Sequence, residues 1–478
     1  MRRLQGEEPT EVFFHLENTC TDAAKAFKAR LLETNGALPV KKLLRVAIHD
    51  HLVDFTAKEQ KDVLTIAKQE GFEARGFWAT NTVYVSDATP AFIRKVMRMK
   101  GVRKINGNKE YSIIENVEGE TQDEKFQKLP AQNDSARRRT QTSEYGIVVT
   151  RSEEAQQVGY RGEGAIVCNV DTGVRWTHEA LIGSYRGGVE DHDWNWVGPG
   201  SSGNPPEPTD GNGHGTHTMG TIAGQPVDIG IGMAPDAQWI AAAGCNPFGS
   251  CPTLDLTLSL EFCGCPTQTD GNNPDCTRAP DICSNSWGGG QGSSAFWDVL
   301  GVLKEEEVVT VFSMGNSGSS CGSANSPGDS DLVISVGASD ANDMIATFSS
   351  RGPGVSVPGV TVQQPFIDGP GVSVISAYNA ADDDYRSASG TSMSCPHVAG
   401  WIAQILGVAP DLTIAEVERV MSETAFQGMN PSPPACGGIP NDQYPNMVYG
   451  HGRIDVCAAL ADILGGNPCG GTKTEKTE

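Results

Sequence analysis

Two things are conspicuously scarce in this chain: long apolar runs and positive charge over most of its length. The longest apolar runs are only strand-length, such as Ala165-Ile166-Val167-Cys168-Asn169-Val170, well short of the ~20 residues that span a bilayer. Residues 1–142 carry 24 Lys and Arg against 20 Asp and Glu (net +4), whereas residues 143–478 carry 12 against 39 (net −27). A membrane span is therefore excluded. Nucleic acid is a poor partner, because no basic footprint exists. The opposite signs favour docking of one part on the other, although an acidic, soluble secreted surface explains the second part equally well. An export leader is also missing: Met1-Arg2-Arg3-Leu4-Gln5-Gly6 has a basic start but no apolar stretch.

Cysteine is nearly absent before residue 143, where only Cys20 occurs, and twelve follow. Cys245, Cys251, Cys263, Cys265, Cys276, Cys283, Cys321 and Cys436 sit mostly among Gly, Pro, Asn and Asp. Loop cysteines at that density favour disulfides and an oxidising compartment. Cys245 and Cys251, bracketing Asn-Pro-Phe-Gly-Ser, form the best single pair. Zinc is the rival, but no paired Cys-x2-Cys exists. Cys168, Cys395 and Cys457 lie in apolar contexts and read as buried free thiols. The expectation is a secreted protein whose given sequence is truncated at its start.

The 478 residues leave room for one large and one small domain. Residues 11–17 read as a strand, and Thr56 as the cap of a helix running to Glu70 and stopped by Gly71. Phe72–Ala79 and Thr82–Ser86 read as paired strands. Thr89-Pro90 opens a helix ended by Gly101, and Glu110–Ile114 is a last strand. This order fits a small α+β, ferredoxin-like unit over 11–116. Residues 117–142 read as an exposed linker, containing the sequon Asn133-Asp134-Ser135 and Arg137-Arg138-Arg139, which reads as either a solvated charge run or a protease target. From Ser143 to 465, short buried strands alternate with helical segments (Ala165–Val170, Gln238–Ala243, Asp281–Asn285, Val308–Ser313 and Leu332–Val336). That pattern implies an α/β domain with a mostly parallel central sheet. Residues 466–478 read as a disordered tail.

Four motifs carry chemistry. Asp171-Thr172-Gly173 follows directly on the first buried strand, at the carboxyl edge where parallel sheets gather function. It also resembles the aspartic-protease signature, but a second copy is absent, so that reading needs a homodimer. Gly211-Asn212-Gly213-His214-Gly215-Thr216-His217 frees a histidine between glycines. His214 and His217 lack the Glu of a zinc motif, and His214 serves better as a general base. Gly390-Thr391-Ser392-Met393-Ser394-Cys395-Pro396 sets Ser392 at a helix start, with Pro396 suited to its first turn. In Ser313-Met314-Gly315-Asn316-Ser317-Gly318 a strand runs into a turn, and Asn316 could donate to an oxyanion.

Together these strings resemble the subtilisin family of serine proteases over about residues 143–465, in the chain order Asp, His, Ser given for subtilisin. The phrases His-Gly-Thr-His-Thr-Met-Gly and Ser-Asn-Ser-Trp-Gly-Gly are similar to the bacillopeptidase F branch. The resemblance implies an Asp171 orienter, a His214 base, a Ser392 nucleophile, and Asn316 with the Ser392 N–H as oxyanion donors. It implies that Ser286, Trp287 and Gly288 form a substrate-pairing edge strand. Asn325 and Ser326 resemble the floor of the family's specificity pocket, where a Gly and often an aromatic residue are expected. Residues 11–116 resemble the family's inhibitory propeptide, which implies a self-processing zymogen whose small domain acts in cis. The segment 19–54 is longer than the usual propeptide. The expected partners are protein or peptide substrates, and the expected state is a monomer. No cofactor is required. Structural calcium is common in such proteins, but the loops near 190–212 give no ligand set. A protease-like binding protein that never releases its propeptide is the alternative from another class.

Overall fold

The computed structural model describes residues 10–114, 127–128, 142–200, 203, 205–227, 229–357, 360–431 and 435–470. The sequon at 133–135, the triple arginine at 137–139 and the tail beyond Gly470 lie outside these residues.

The N-terminal unit begins with β1 (Thr10–Leu16), followed by α1 (Cys20–Asn35), α2 (Lys41–Glu59) and α3 (Lys61–Gln69). Next come β2 (Ala74–Gly76), β3 (Thr82–Ala88), α4 (Pro90–Val96), β4 (Val102–Gly107) and β5 (Glu110–Ile113). The sheet runs β2-β3-β1-β4 and is antiparallel throughout, which is the ferredoxin-like arrangement. Alternation along β1 decides its two faces. Val12, Phe14 and Leu16 join Val83, Val85, Phe92 and Ile93 in the small core. Phe13 points the other way, with Phe77 and Tyr84, against Leu254 and Leu258 of the helix Thr253–Gly264. Thr89 caps α4 as expected, accepting from the Phe92 N–H at 3.3 Å with Pro90 in the first turn.

Two sequence expectations change here. Thr56 does not start a helix. It lies inside α2, its hydroxyl donating to Leu52 O at 2.8 Å, and the break falls at Gln60, whose side-chain amide donates to Phe77 O. The stretch 19–54 holds two long helices, α1 and α2. Glu110–Ile114 is not the fourth strand of the unit. Val102–Gly107, a Lys- and Arg-bearing run without clear alternation, takes that place, and β5 leaves for the other domain.

The larger domain centres on a seven-stranded sheet. Its order is Ile367–Pro370, Ile334–Ser339, Val309–Ser313, Ile282–Asn285, Ile166–Val170, Gln238–Ala242, Trp196–Val197. Every neighbouring pair is parallel, as the βα alternation requires. The helices His214–Ala223 and Thr391–Val408 pack on one face and on each other. Thr253–Gly264 and Trp297–Glu305 cover the opposite face.

Disulfides join Cys245–Cys251, Cys265–Cys276, Cys321–Cys436 and Cys457–Cys469. Cys457 is therefore not a free thiol, and its bond anchors residues 466–470, the start of the expected tail. Cys263 and Cys283, read as loop cysteines, are instead buried thiols beside Cys168. One lies in the helix Thr253–Gly264 and the other in a central strand. No helix among the described residues is long and apolar enough to cross a membrane.

Candidate active site

Asp171 follows the strand Ile166–Val170 and is fully buried. Its Oδ1 accepts from the Thr172 N–H at 2.7 Å and lies 2.7 Å from His214 Nδ1. The Thr218 hydroxyl approaches Oδ2 at 3.4 Å. His214 opens the helix His214–Ala223, after Gly213 at φ 107°. Gly215 is required by proximity: a Cβ there would stand 2.0 Å from Gly173 O and 3.1 Å from Asp171 Cβ. A carboxylate on Nδ1 fixes the tautomer and leaves Nε2 as the proton acceptor. Asp171 is engaged with a histidine inside one chain, which removes the dimeric aspartic-protease reading. His217 is a structural residue. Burial, then the neighbouring His214, holds it down to about 3, and its Nε2 faces Val374 O and Arg386 O.

Asp210 escaped the sequence reading. Its carboxylate accepts from the N–H groups of Asn212, Gly213 and Thr216 and from the hydroxyls of Thr172 and Thr216. One half-buried residue thus ties the Asp171 turn to the start of the His214 helix. Burial raises its carboxyl, and those hydrogen bonds oppose the rise. Its place just ahead of Gly211-Asn212-Gly213 was the available signal.

Gly390 caps the helix Thr391–Val408, so Ser392 lies in the first turn, where backbone N–H groups lack intrahelical acceptors. Pro396 sits inside the helix, not in its first turn. Proline there removes the donor that would meet Ser392 O, and Ser286 Oγ donates to that carbonyl instead, at 3.1 Å. Asn316 follows the strand Val309–Ser313 after Gly315 at φ 113°. Its Oδ1 accepts from both the N–H and the hydroxyl of Thr391 at 2.9 Å. That fixes the amide with Nδ2 facing outward, beside Ser392.

The cleft is occupied by this chain's own β5. It pairs antiparallel with Ser250–Pro252 on one side and Trp287–Gly288 on the other. Ile114 N–H donates to Ser286 O at 3.1 Å. Ile114 O accepts from Ser392 Oγ at 2.9 Å and from Asn316 Nδ2 at 3.1 Å. The Ile114 side chain lies against Gly288, where a Cβ would meet its Cδ1 at 3.2 Å and Asn325 Cβ at 3.5 Å. Asn325 Oδ1 accepts from Ser317 Oγ. Tyr111, three residues back, packs against Trp287 and Phe296, and its hydroxyl meets Ser293 Oγ at 2.7 Å. The structure pairs Asp171 with His214, and it gathers Ser392, Asn316, Ser286, Trp287, Gly288 and Asn325 around β5 and Ile114. Such an arrangement can attack a carbonyl with a hydroxyl, pass the proton to an imidazole and stabilise the resulting oxyanion.

Among the described residues, the one group of three potential metal ligands is His49, Cys265 and Cys276, and its two cysteines are bonded to each other. In the 190–212 loops, Asp193 is engaged by Thr269 and Gln268, and Asp210 as described.

Residues 162–452 match the Subtilase family. The chain is 36% identical to subtilisin DY of Bacillus licheniformis over 323 residues, covering 67% of this chain and 99% of that protein. It is 28% identical to bacillopeptidase F of Bacillus subtilis over 471 residues, 94% of this chain. The chain spans 31% of the length of that relative. The chain belongs to the subtilase family, peptidase family S8, and is a subtilisin-like serine protease. Its class acts on protein substrates and needs no organic cofactor.

Proposed function

We propose that this chain is a secreted, monomeric serine endopeptidase made as a self-processing zymogen, with Ser392 as nucleophile, His214 as base and Asp171 as orienter. The observation that carries this reading is Ile114 O held by both Ser392 Oγ and Asn316 Nδ2. Ser392 Oγ attacks the Ile114 carbonyl carbon while His214 takes the hydroxyl proton. Asn316 Nδ2 and the Ser392 N–H hold the oxyanion. The C–N bond to Glu115 breaks, and the imidazolium returns its proton to the leaving amine. Water then hydrolyses the acyl-enzyme by the same proton route.

The first cut is accordingly Ile114–Glu115, ahead of the linker and its triple arginine. Residues 10–114 act as the inhibitory and folding-assisting domain, with Ser286, Trp287, Gly288 and Asn325 receiving substrate as they receive β5. The cleft and its occupant belong to one chain, which fits a monomer. Four disulfides fit an oxidising compartment. Mass spectrometry of the purified protein tests the reading. A new N-terminus at Glu115, absent from Ser392→Ala, is expected. Cutting that persists in isolated Ser392→Ala would refute self-processing.

A further inference from the structure

The helices α1 and α2, which lengthen the N-terminal unit, reach the larger domain far from the cleft in sequence and contact. Both ends of the helix Trp297–Glu305 are gripped. At its first turn, the Asp298 carboxylate accepts from the Cys20 and Thr21 N–H groups at 3.1 and 2.8 Å, capping α1. At its last turn the chain bends through Glu306 and Glu307, the latter at φ 59°. That bend presents two successive carbonyls beside the negative end of the helix dipole.

Arg45 of α2 enters there and is 1% exposed. Its Nε donates to Glu306 O at 3.1 Å, Nη1 to Ala279 O at 3.1 Å and Nη2 to Glu307 O at 3.2 Å. Asp281 Oδ1 lies 3.5 Å from Nη2. The Glu306 carboxylate is fully buried beside this cluster, and both its oxygens lack a hydrogen-bond partner among the described residues. Burial pushes that carboxyl up, and the Arg45 charge pulls it back. Lys28 adds an outer contact, 3.0 Å from both Glu305 O and Glu307 Oε1. Every acceptor belongs to the larger domain. Three diverging carbonyls and two carboxylates suit the planar fork of a guanidinium, which an ammonium cannot match.

We propose that the protease domain carries a guanidinium-binding site outside its substrate cleft, at the end of the helix Trp297–Glu305. Arg45 in that site keeps the N-terminal domain attached after the cut behind Ile114. The retention half of this inference rests on the processing proposed above. Its logic is competition: once cut, β5 is a product strand that substrate displaces, whereas substrate does not compete for the Arg45 site. Two separate attachments also raise the effective concentration of each other.

Full-length chains carrying Arg45→Ala, Arg45→Lys or Glu306→Gln test this. Mass spectrometry reports the cut, size-exclusion chromatography reports co-elution of the 1–114 fragment, and a chromogenic peptide reports the lag before activity. Cutting at Ile114 is expected in all, with the fragment retained in the parent. Arg45→Ala should release it and shorten the lag by about tenfold or more, the effect of losing one buried arginine anchor. Arg45→Lys should fall nearer Ala than Arg, and Glu306→Gln should also shorten the lag. Agmatine should speed release from the parent and leave Arg45→Ala unchanged. Co-elution and lag equal to the parent in Arg45→Ala, or in Glu306→Gln should Arg45→Ala not fold, would overturn the inference. A parallel arm in Ser392→Ala distinguishes its failure from that of the processing reading, since it needs no cutting. There, Arg45→Ala should strip hydrogen-exchange protection from residues 41–59, and unchanged protection would overturn the site by itself.

Discussion

Replacing Asn316 with Ala should slow catalysis with little change in substrate affinity. In the structure the amide is held from behind by two 2.9 Å bonds from Thr391 and donates forward to Ile114 O at 3.1 Å. In the ground state that forward bond is one neutral hydrogen bond, worth about 1 kcal/mol net. As the carbonyl becomes an oxyanion the same donor is worth more, and its loss costs about 3 kcal/mol, the size known for such a donor in a subtilisin. The expected result is a kcat lower by about 10²–10³ with KM within a few-fold. Asn316→Asp should be worse. It keeps an acceptor for Thr391 but sets a carboxylate against the developing negative charge. Steady-state hydrolysis of a chromogenic peptide gives kcat and KM, and titration with a fluorophosphonate counts competent Ser392. A kcat within about threefold of the parent at equal titre would refute the oxyanion assignment, because that leaves under about 1 kcal/mol for the donor.

Glu261 makes the hold on the N-terminal domain pH-dependent. Its Oε1 accepts from the Trp78 and Ala79 N–H groups at 2.6 and 2.9 Å, and burial raises its carboxyl from 4.5 to about 7 against those bonds and Arg75. A raised value means stability present in full below about 4.5 and lost as pH rises through about 7, by up to about 3 kcal/mol. Melting of Ser392→Ala between pH 5 and pH 8 should show the fall, and Glu261→Gln should flatten it; equal slopes would reject this assignment. Cys321–Cys436 closes a separation of 115 residues, so replacing both with Ser should cost about 4–5 kcal/mol in unfolding. Gly288→Ala sets a Cβ 2.9 Å from Ser326 O and 3.2 Å from Ile114 Cδ1. It should raise KM for peptides cut after Ile or Val more than for those cut after Ala, a ratio that paired substrates measure.

Much of the larger domain was legible because its strands are short, apolar and spaced by helices. Each of the five strand expectations there matches an observed strand to within a residue or two, apart from an extension to Ser339. The smaller domain was harder to read. Val102–Gly107 carries Arg103 and Lys104 and hides its period, and Thr56 imitates a helix cap while bonding backward to Leu52 O. The cysteines divide the same way. Cys245 and Cys251 are joined by a short loop, whereas Cys457 finds Cys469 in a stretch that reads as tail, and Cys263 and Cys283 share a core without forming a disulfide.

By itself the sequence determined the chemistry: an Asp ending a strand, a His between glycines, an Asn in a turn and a Ser at a helix start, in the subtilisin order. These are local features, since each needs only its own neighbours to take its shape. Tertiary structure alone decided what faces them. That Ile114 presents its carbonyl to Ser392 and Asn316, that Asp210 links the Asp171 turn to the His214 helix, and that Arg45 lies among the carbonyls of Ala279, Glu306 and Glu307 are contacts between distant segments. No local pattern encodes them, because hydrogen-bond partners remote in sequence are chosen by packing.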